Sequence, residues 1–158
     1  MSDHLEKYVT VSELREWAQT QIENGVPRQK LCADIMARFD HASAKPSEAQ
    51  KIHNRACLTV EDEIIRTMMD HNEEARQLEQ AGKIDQAIAL FEESVRDLFL
   101  SPFPYERLRI IYTAQERYQD AIRVCQAYID NPYLTGGAAT DAKAAFRQKI
   151  QEIEEDMT

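Results

Sequence analysis

His53 and Cys57 are the first side chains in this sequence that could do chemistry, because both residue types ligate transition metals. They lie four residues apart, which places them on one face of a helix. A zinc site needs further ligands at recognisable spacing, and none follows in the sequence; the HExxH pattern is also missing. We therefore predict that this pair packs between helices, and that the chain has no metal site and no cofactor.

The sequence does not indicate catalytic groups of other kinds. Covalent catalysis needs a Ser, Cys or Lys activated by a positioned base, and no motif of that type is found. Gly136-Gly137 is not followed by the Lys-Ser/Thr of a phosphate-binding loop. Neighbouring carboxylates such as Glu92-Glu93 point to different faces of a helix, as on a solvated surface. We predict that the protein is not an enzyme.

Residues 13–39 suggest a function of another class, since they predict two helices joined through Asn24-Gly25-Val26-Pro27. Arg28-Gln29-Lys30 begins the second helix, where a helix-turn-helix protein would contact DNA. Residues 1–66 have nine basic and eleven acidic side chains, so counterion release would add little affinity. Nucleic acid is a disfavoured partner. A nucleic-acid-binding regulator, with the later helices as sensor or dimerisation domain, remains the alternative function.

The elements that position these residues are predicted to be helices throughout, because apolar residues recur at helical spacing and no segment alternates with a period of two. Thr10-Val11-Ser12-Glu13 is a capping box that begins the first helix, and Asn24-Gly25 ends it. The second helix begins at Pro27 and is expected to stop near His41-Ala42. Periodicity leaves open whether residues 59–81 form one helix or two. Later helices are expected over residues 85–98, 105–115, 119–129 and 138–155.

An internal repeat relates residues 82–91 to residues 116–125, and the two segments align without gaps. Large and small side chains recur in the same slots. The matched pairs are Leu78 and Tyr112, Ile84 and Tyr118, Ala87 and Ala121, Ile88 and Ile122, and Phe91 and Cys125.

The two segments are 34 residues apart. The second copy resembles the tetratricopeptide repeat (TPR) family, whose helix-turn-helix unit is also 34 residues long and has the pattern W-x2-L-G-x2-Y…A-x3-F…P. It reads Tyr105-x2-Leu108-Arg109-x2-Tyr112, followed by Ala121-x3-Cys125 and Pro132. Tyr stands for Trp, Cys stands for Phe, and Arg109 occupies a position where a small residue is usual. The resemblance is clear over about residues 68–135 and weak over 30–58, where Ala37, Ala49, His53 and Ala56 take the corresponding slots.

The resemblance implies an all-α fold of TPR-like stacked helical hairpins, a short α-solenoid with an N-terminal helix and a C-terminal capping helix. We expect a single domain over residues 1–158. It would comprise N-terminal helices over 12–58, two repeats over 59–135 and a capping helix over 138–156. The predicted core comprises Leu14, Trp17, Ile35, Phe39, Ile64, Leu78, Ala87, Phe91, Leu108, Tyr112, Ala121, Ile122 and Phe146.

TPR arrays are generally binding scaffolds, whose first helices line a groove for a peptide or helix of a partner protein. The resemblance therefore implies a protein or peptide partner and six groove residues, Asn72, Arg76, Phe103, Glu106, Ile110 and Thr113. Phe103 is stiffened by Pro102 and Pro104, and it fits either a partner contact or the core between repeats. The groove lacks the Lys and Asn set of the chaperone-binding TPR proteins. Self-association through an exposed helix face is the other possibility.

Composition and charge agree with an interaction domain of the cytoplasm. Net charge is −9, and residues 67–158 account for −7 of it, which disfavours contact with phosphate backbones or anionic lipids. No run of apolar residues approaches the roughly 18 that a membrane span needs, and Met1-Ser2-Asp3-His4-Leu5-Glu6 is too acidic for a signal peptide. Three widely spaced cysteines fit reduced thiols. We expect no membrane association.

Overall fold

The computed structural model describes residues 5–41 and 44–158, and over these residues the chain forms seven helices and no strand. The all-α fold class is thereby confirmed. The helices are α1 (Val11–Glu23), α2 (Arg28–Ala37), α3 (Glu48–Gln80), α4 (Ile84–Arg96), α5 (Phe103–Ala114), α6 (Tyr118–Ile129) and α7 (Gly137–Asp156). In the described part of the chain, no helix combines the length and the apolar character needed to cross a membrane.

Side-chain caps mark the beginning of two helices, α1 and α3. The backbone N–H of Glu13 donates to Thr10 Oγ1 over 3.3 Å, and the N–H of Thr10 donates to Glu13 Oε1 over 3.1 Å, which confirms the predicted capping box. Ser47 and Gln50 form the same reciprocal pair before α3. The second helix ends earlier than expected, at Ala37 rather than near His41, while Ala42 lies outside the described residues.

Residues 48–80 form one continuous helix. Periodicity left open whether residues 59–81 form one helix or two, and the structure shows one. This stretch contains neither Gly nor Pro, so no residue in it interrupts the helical hydrogen bonds. By contact density the chain divides into two compact units, Met1–Met69 and Asp70–Thr158, and α3 contributes residues to both.

In the first unit, side chains of α3 hold two segments of irregular backbone. The buried His53 accepts the Val9 N–H at Nδ1 over 3.2 Å, and its Nε2 lies 2.7 Å from the Arg38 carbonyl oxygen. Asn54 binds both backbone groups of Asp40, accepting its N–H and donating to its carbonyl. The first unit therefore depends on polar side chains as well as on its apolar core, which comprises Val9, Leu14, Ala18, Leu31, Cys32, Ile35, Ala56, Cys57, Val60, Ile64 and Met68.

In the second unit, consecutive helices pack in chain order, α4 on α5, α5 on α6 and α6 on α7, and α4 also touches α6. The turns between helices repeat at the offset seen in the sequence. Lys83 N–H donates to Leu78 O and Gly82 N–H to Glu79 O, and the same two bonds recur at the matched positions of the next hairpin, from Arg117 and Glu116. Gly82 and Glu116 both have positive φ, of 79° and 58°. The two hairpins therefore share their local geometry.

The earlier segment with weaker resemblance, residues 30–58, does not share this short turn. Residues 38–47 separate α2 from α3, whereas only residues 81–83 and 115–117 join the helices of the two later hairpins. The segment thus comprises most of α2, a longer connection and the first turns of α3.

Most of the predicted core is buried, including Ala87 and Ala121, which are both fully inaccessible. Four of the thirteen residues are only partly buried, so the prediction was wrong in calling them core: Trp17, Phe39, Leu78 and Ile122. Leu78 and Ile122 pack against the edge of the buried cluster of the second unit. Periodicity identifies the inward face of a helix but not how completely the neighbouring elements cover its margins.

Candidate partner-binding groove

A pocket of about 330 Å³ lies between the last turns of α3 and the start of α5. It is lined by Arg76, Glu79, Gln80, Phe103 and Arg107. Arg107 binds both carboxylate oxygens of Glu79, with Nε 2.9 Å from Oε1, and thereby joins the two helices. Both partners are largely withdrawn from solvent, with 34% and 15% of their side chains exposed. The polar side of this pocket is therefore held in place by an ion pair.

Arg76 is paired as its neighbour spacing predicts. Its Nε donates to Glu73 Oε2 over 2.9 Å, and the hydrogen bonds from this guanidinium hold the pKa of Glu73 below its usual value. Because both side chains are largely exposed, this pair adds little to the stability of the fold.

A second, apolar pocket of about 360 Å³ lies between α5 and α7. We call it the apolar slot; its lining residues are Ser101, Pro102, Phe103, Glu106, Ala142, Ala145 and Phe146. Alanines at two adjacent turns of α7 leave the space that a larger side chain would fill. Phe146 is almost completely buried and packs on Tyr128 with the rings tilted by 37° and their centroids 4.5 Å apart. The slot is therefore backed by the core of the second unit.

Phe103 lines both pockets, and we call the two pockets together the Phe103 groove. The ring also packs edge-to-face on Phe91, with centroids 6.0 Å apart and an interplanar angle of 68°. Phe103 thus has one side against the core and another side lining open space. The core packing that the sequence left open is therefore present, and the partner contact of Phe103 stays a prediction.

The six predicted groove residues separate into two groups. Arg76, Phe103 and Glu106 line the Phe103 groove. Asn72, Ile110 and Thr113 do not line it: Ile110 is 37% exposed, and the Thr113 hydroxyl donates to the Arg109 carbonyl over 2.7 Å. The side-chain oxygen of Asn72 is buried without a hydrogen-bond partner.

Sequence reasoning missed Arg107, Ala142, Ala145 and Phe146, which complete the groove. The three residues of α7 lie beyond the repeat that carries the resemblance, so no repeat position pointed to them. The apolar spacing of α7 was visible in the sequence, but only the packing of this helix on α6, and the pocket that it lines together with the start of α5, show which residues border open space.

Three cations of the alternative site, residues 13–39, have partners within the protein. Lys30 Nζ lies 2.6 Å from Asp34 Oδ2, and Arg15 pairs with Glu63 at 2.6 Å. Arg38 donates to the Glu6 carbonyl. Nucleic-acid binding through residues 13–39 stays a prediction.

The His53–Cys57 pair is engaged in packing, as the sequence predicts. Both residues are fully buried, and both ring nitrogens of His53 face backbone groups. Burial raises the pKa of the Cys57 thiol, and it raises that of the Cys125 thiol to about 12. Such thiols stay protonated near neutral pH and are poor nucleophiles and poor metal ligands.

The only group of metal-ligating side chains found among the described residues lies elsewhere, in the second unit, and comprises His71, Glu93 and Asp97.

No known family model matches this chain, and no curated protein or solved structure is significantly similar to it.

Proposed function

We propose that this protein is a non-enzymatic, TPR-like interaction module that binds a basic amphipathic segment of a partner protein in the Phe103 groove. The observation that carries the proposal is the position of Phe103, an aromatic ring held by Phe91 on one side and open to two adjoining pockets on the other. Rigid aromatic side chains with part of their surface uncovered are the usual anchors of protein interfaces.

The repeated turn supports the TPR-like assignment. Two hairpins with the same hydrogen bonds and the same positive-φ position, at the offset of the sequence repeat, are what a helix-turn-helix repeat requires. Stacked repeats expose the first helices of successive units along one surface. The last turns of α3 and the helix α5 would be such first helices, and both line the Phe103 groove.

The lining and the charge support a basic amphipathic occupant. The apolar slot has room for one aliphatic or aromatic side chain beside two alanines. Residues 67–158 carry a net charge of −7, while the arginines at the groove are already paired with glutamates. Lysines and arginines flanking an apolar anchor would therefore complement the surroundings of the groove.

Selection of binding peptides from a random library tests the proposal. Wild-type protein should select sequences that combine an apolar anchor with flanking Lys or Arg. Ala145→Asp places a charge at the apolar slot and should weaken these peptides at least about tenfold. Ala144→Asp is the matched control, since both alanines are exposed neighbours on α7 but only Ala145 lines the slot.

Four outcomes would overturn the proposal. Selection could yield no consensus, or its peptides could bind Ala145→Asp as tightly as wild type. A dimer of wild type that Ala145→Asp dissociates, seen by analytical ultracentrifugation, would replace the partner with a second copy of the chain. Salt-dependent binding of a random DNA or RNA duplex without peptide binding would favour the nucleic-acid regulator.

A further inference from the structure

Three side chains that ligate metals meet where α3 faces the end of α4. The donor atoms of His71, Glu93 and Asp97 all lie within 4.8 Å of one another, and His71 Nδ1 is 3.8 Å from Glu93 Oε1. In a four-coordinate zinc site, bonds of about 2.0–2.2 Å place neighbouring donors roughly 3.4 Å apart. Small side-chain rotations would therefore bring the three donors to coordination distance.

The histidine of this cluster has an unsatisfied nitrogen. His71 Nδ1 is buried and makes no hydrogen bond, since 3.8 Å is beyond the reach of one. Buried polar atoms without a partner are rare in folded proteins and call for an explanation. A metal ion that accepts the lone pair of this nitrogen would supply one.

The surroundings of the cluster permit an ion to enter. Asp97 is 6% exposed, whereas the side chains of His71 and Glu93 are 23% and 32% exposed, so the group is closed on one side and open on the other. Glu93 and Asp97 also take part in other interactions within the protein. An ionised carboxylate has about four lone-pair directions, so coordination does not require those contacts to be lost.

We propose that His71, Glu93 and Asp97 bind one divalent transition-metal ion, with Zn²⁺ as the best match. Imidazole favours zinc and its neighbours over Mg²⁺ and Ca²⁺, and the two carboxylates neutralise the charge of the ion. Three protein ligands leave one position for water. Because His71 belongs to α3, Glu93 lies in the last turn of α4 and Asp97 directly follows α4, the ion links the two helices. This site is independent of the Phe103 groove.

Calorimetric titration of tag-free, EDTA-treated protein with Zn²⁺ tests the site. We expect one ion per chain, and affinity at least about tenfold lower in His71→Ala and in Glu93→Gln. The matched controls are His41→Ala and Glu74→Gln, which remove an exposed histidine and an exposed carboxylate outside the cluster. Zn²⁺ should raise the unfolding temperature of wild type and controls, but not of the two cluster variants.

The isosteric Glu93→Gln change and circular dichroism of every variant separate lost binding from lost folding. The proposal is overturned if no ion binds at one equivalent, or if folded His71→Ala binds Zn²⁺ as tightly as wild type. Binding of Mg²⁺ as tight as that of Zn²⁺ would overturn the assignment to transition metals. If no ion binds, His71 and Glu93 are neighbouring side chains without a metal-binding role.

Discussion

At the residue scale, His53 shows how a side chain typical of metal sites serves the fold. The Val9 N–H donates to Nδ1, so the hydrogen of a neutral ring lies on Nε2 and is donated to the Arg38 carbonyl. One buried ring therefore satisfies two backbone groups that are distant in sequence. Its spacing from Cys57 suggested a pair of ligands, but both of its nitrogens are already in use.

Replacing His53 by alanine should destabilise the protein by about 3 kcal/mol, because two backbone groups lose their partner and a cavity forms. Urea unfolding followed by circular dichroism measures the change. Arg55→Ala, at an exposed position two residues further along α3, should alter stability by less than about 0.5 kcal/mol. Equal effects of the two substitutions would show that His53 does not hold these segments.

At the element scale, the two hairpin turns of the second unit adopt the same backbone geometry, although a different residue occupies the positive-φ position in each. Gly82 and Glu116 both adopt a left-handed conformation after a helix, where glycine is favoured because it lacks a side chain. A side chain added at Gly82 would meet no atom within 4 Å, so the cost of this conformation is confined to the backbone. The turn is thus specified less strongly at Glu116.

Opposite substitutions at these turns should have opposite effects. Gly82→Ala should lower the free energy of unfolding by about 1 kcal/mol, and Glu116→Gly should raise it by roughly 0.5–1 kcal/mol. Thermal and denaturant unfolding of both variants against wild type measure the two changes. If both substitutions shift stability in the same direction, the shared backbone conformation does not determine the effect.

A second prediction at this scale concerns the close approach of the helices within each hairpin. Ala87 and Ala121 occupy the same repeat slot and are fully buried, so Ala87→Arg or Ala121→Arg should reduce stability by more than about 3 kcal/mol. Ala89→Arg is the control, since Ala89 is exposed on the same helix as Ala87. Wild-type melting temperatures in the two buried variants would contradict the repeat packing.

At the scale of the whole molecule, the uneven charge is the property with the clearest consequence. The chain carries −9, and the residues that form the second unit carry most of it. Such a field attracts cationic segments over distances of about a Debye length, roughly 10 Å at 0.1 M salt. It acts mainly on the rate of encounter and adds little contact energy.

Peptides selected on the Phe103 groove should therefore associate more slowly as salt rises. Between low salt and about 0.5 M salt we expect the association rate to fall roughly tenfold, with a smaller change in the dissociation rate. Stopped-flow fluorescence measures both rates. A peptide with its Lys and Arg replaced by Gln is the control and should show little salt dependence; the same dependence for both peptides would contradict electrostatic steering.

The sequence by itself determined the helical class, the capping box at Thr10 and the internal repeat, because these depend on contacts between near neighbours in the chain. It also identified three residues of the Phe103 groove, Arg76, Phe103 and Glu106. Only the tertiary structure decided that α7 completes the groove, and that His71 of α3 approaches Glu93 and Asp97 at the end of α4. The reason is that these juxtapositions follow from helix packing, which neither periodicity nor spacing encodes.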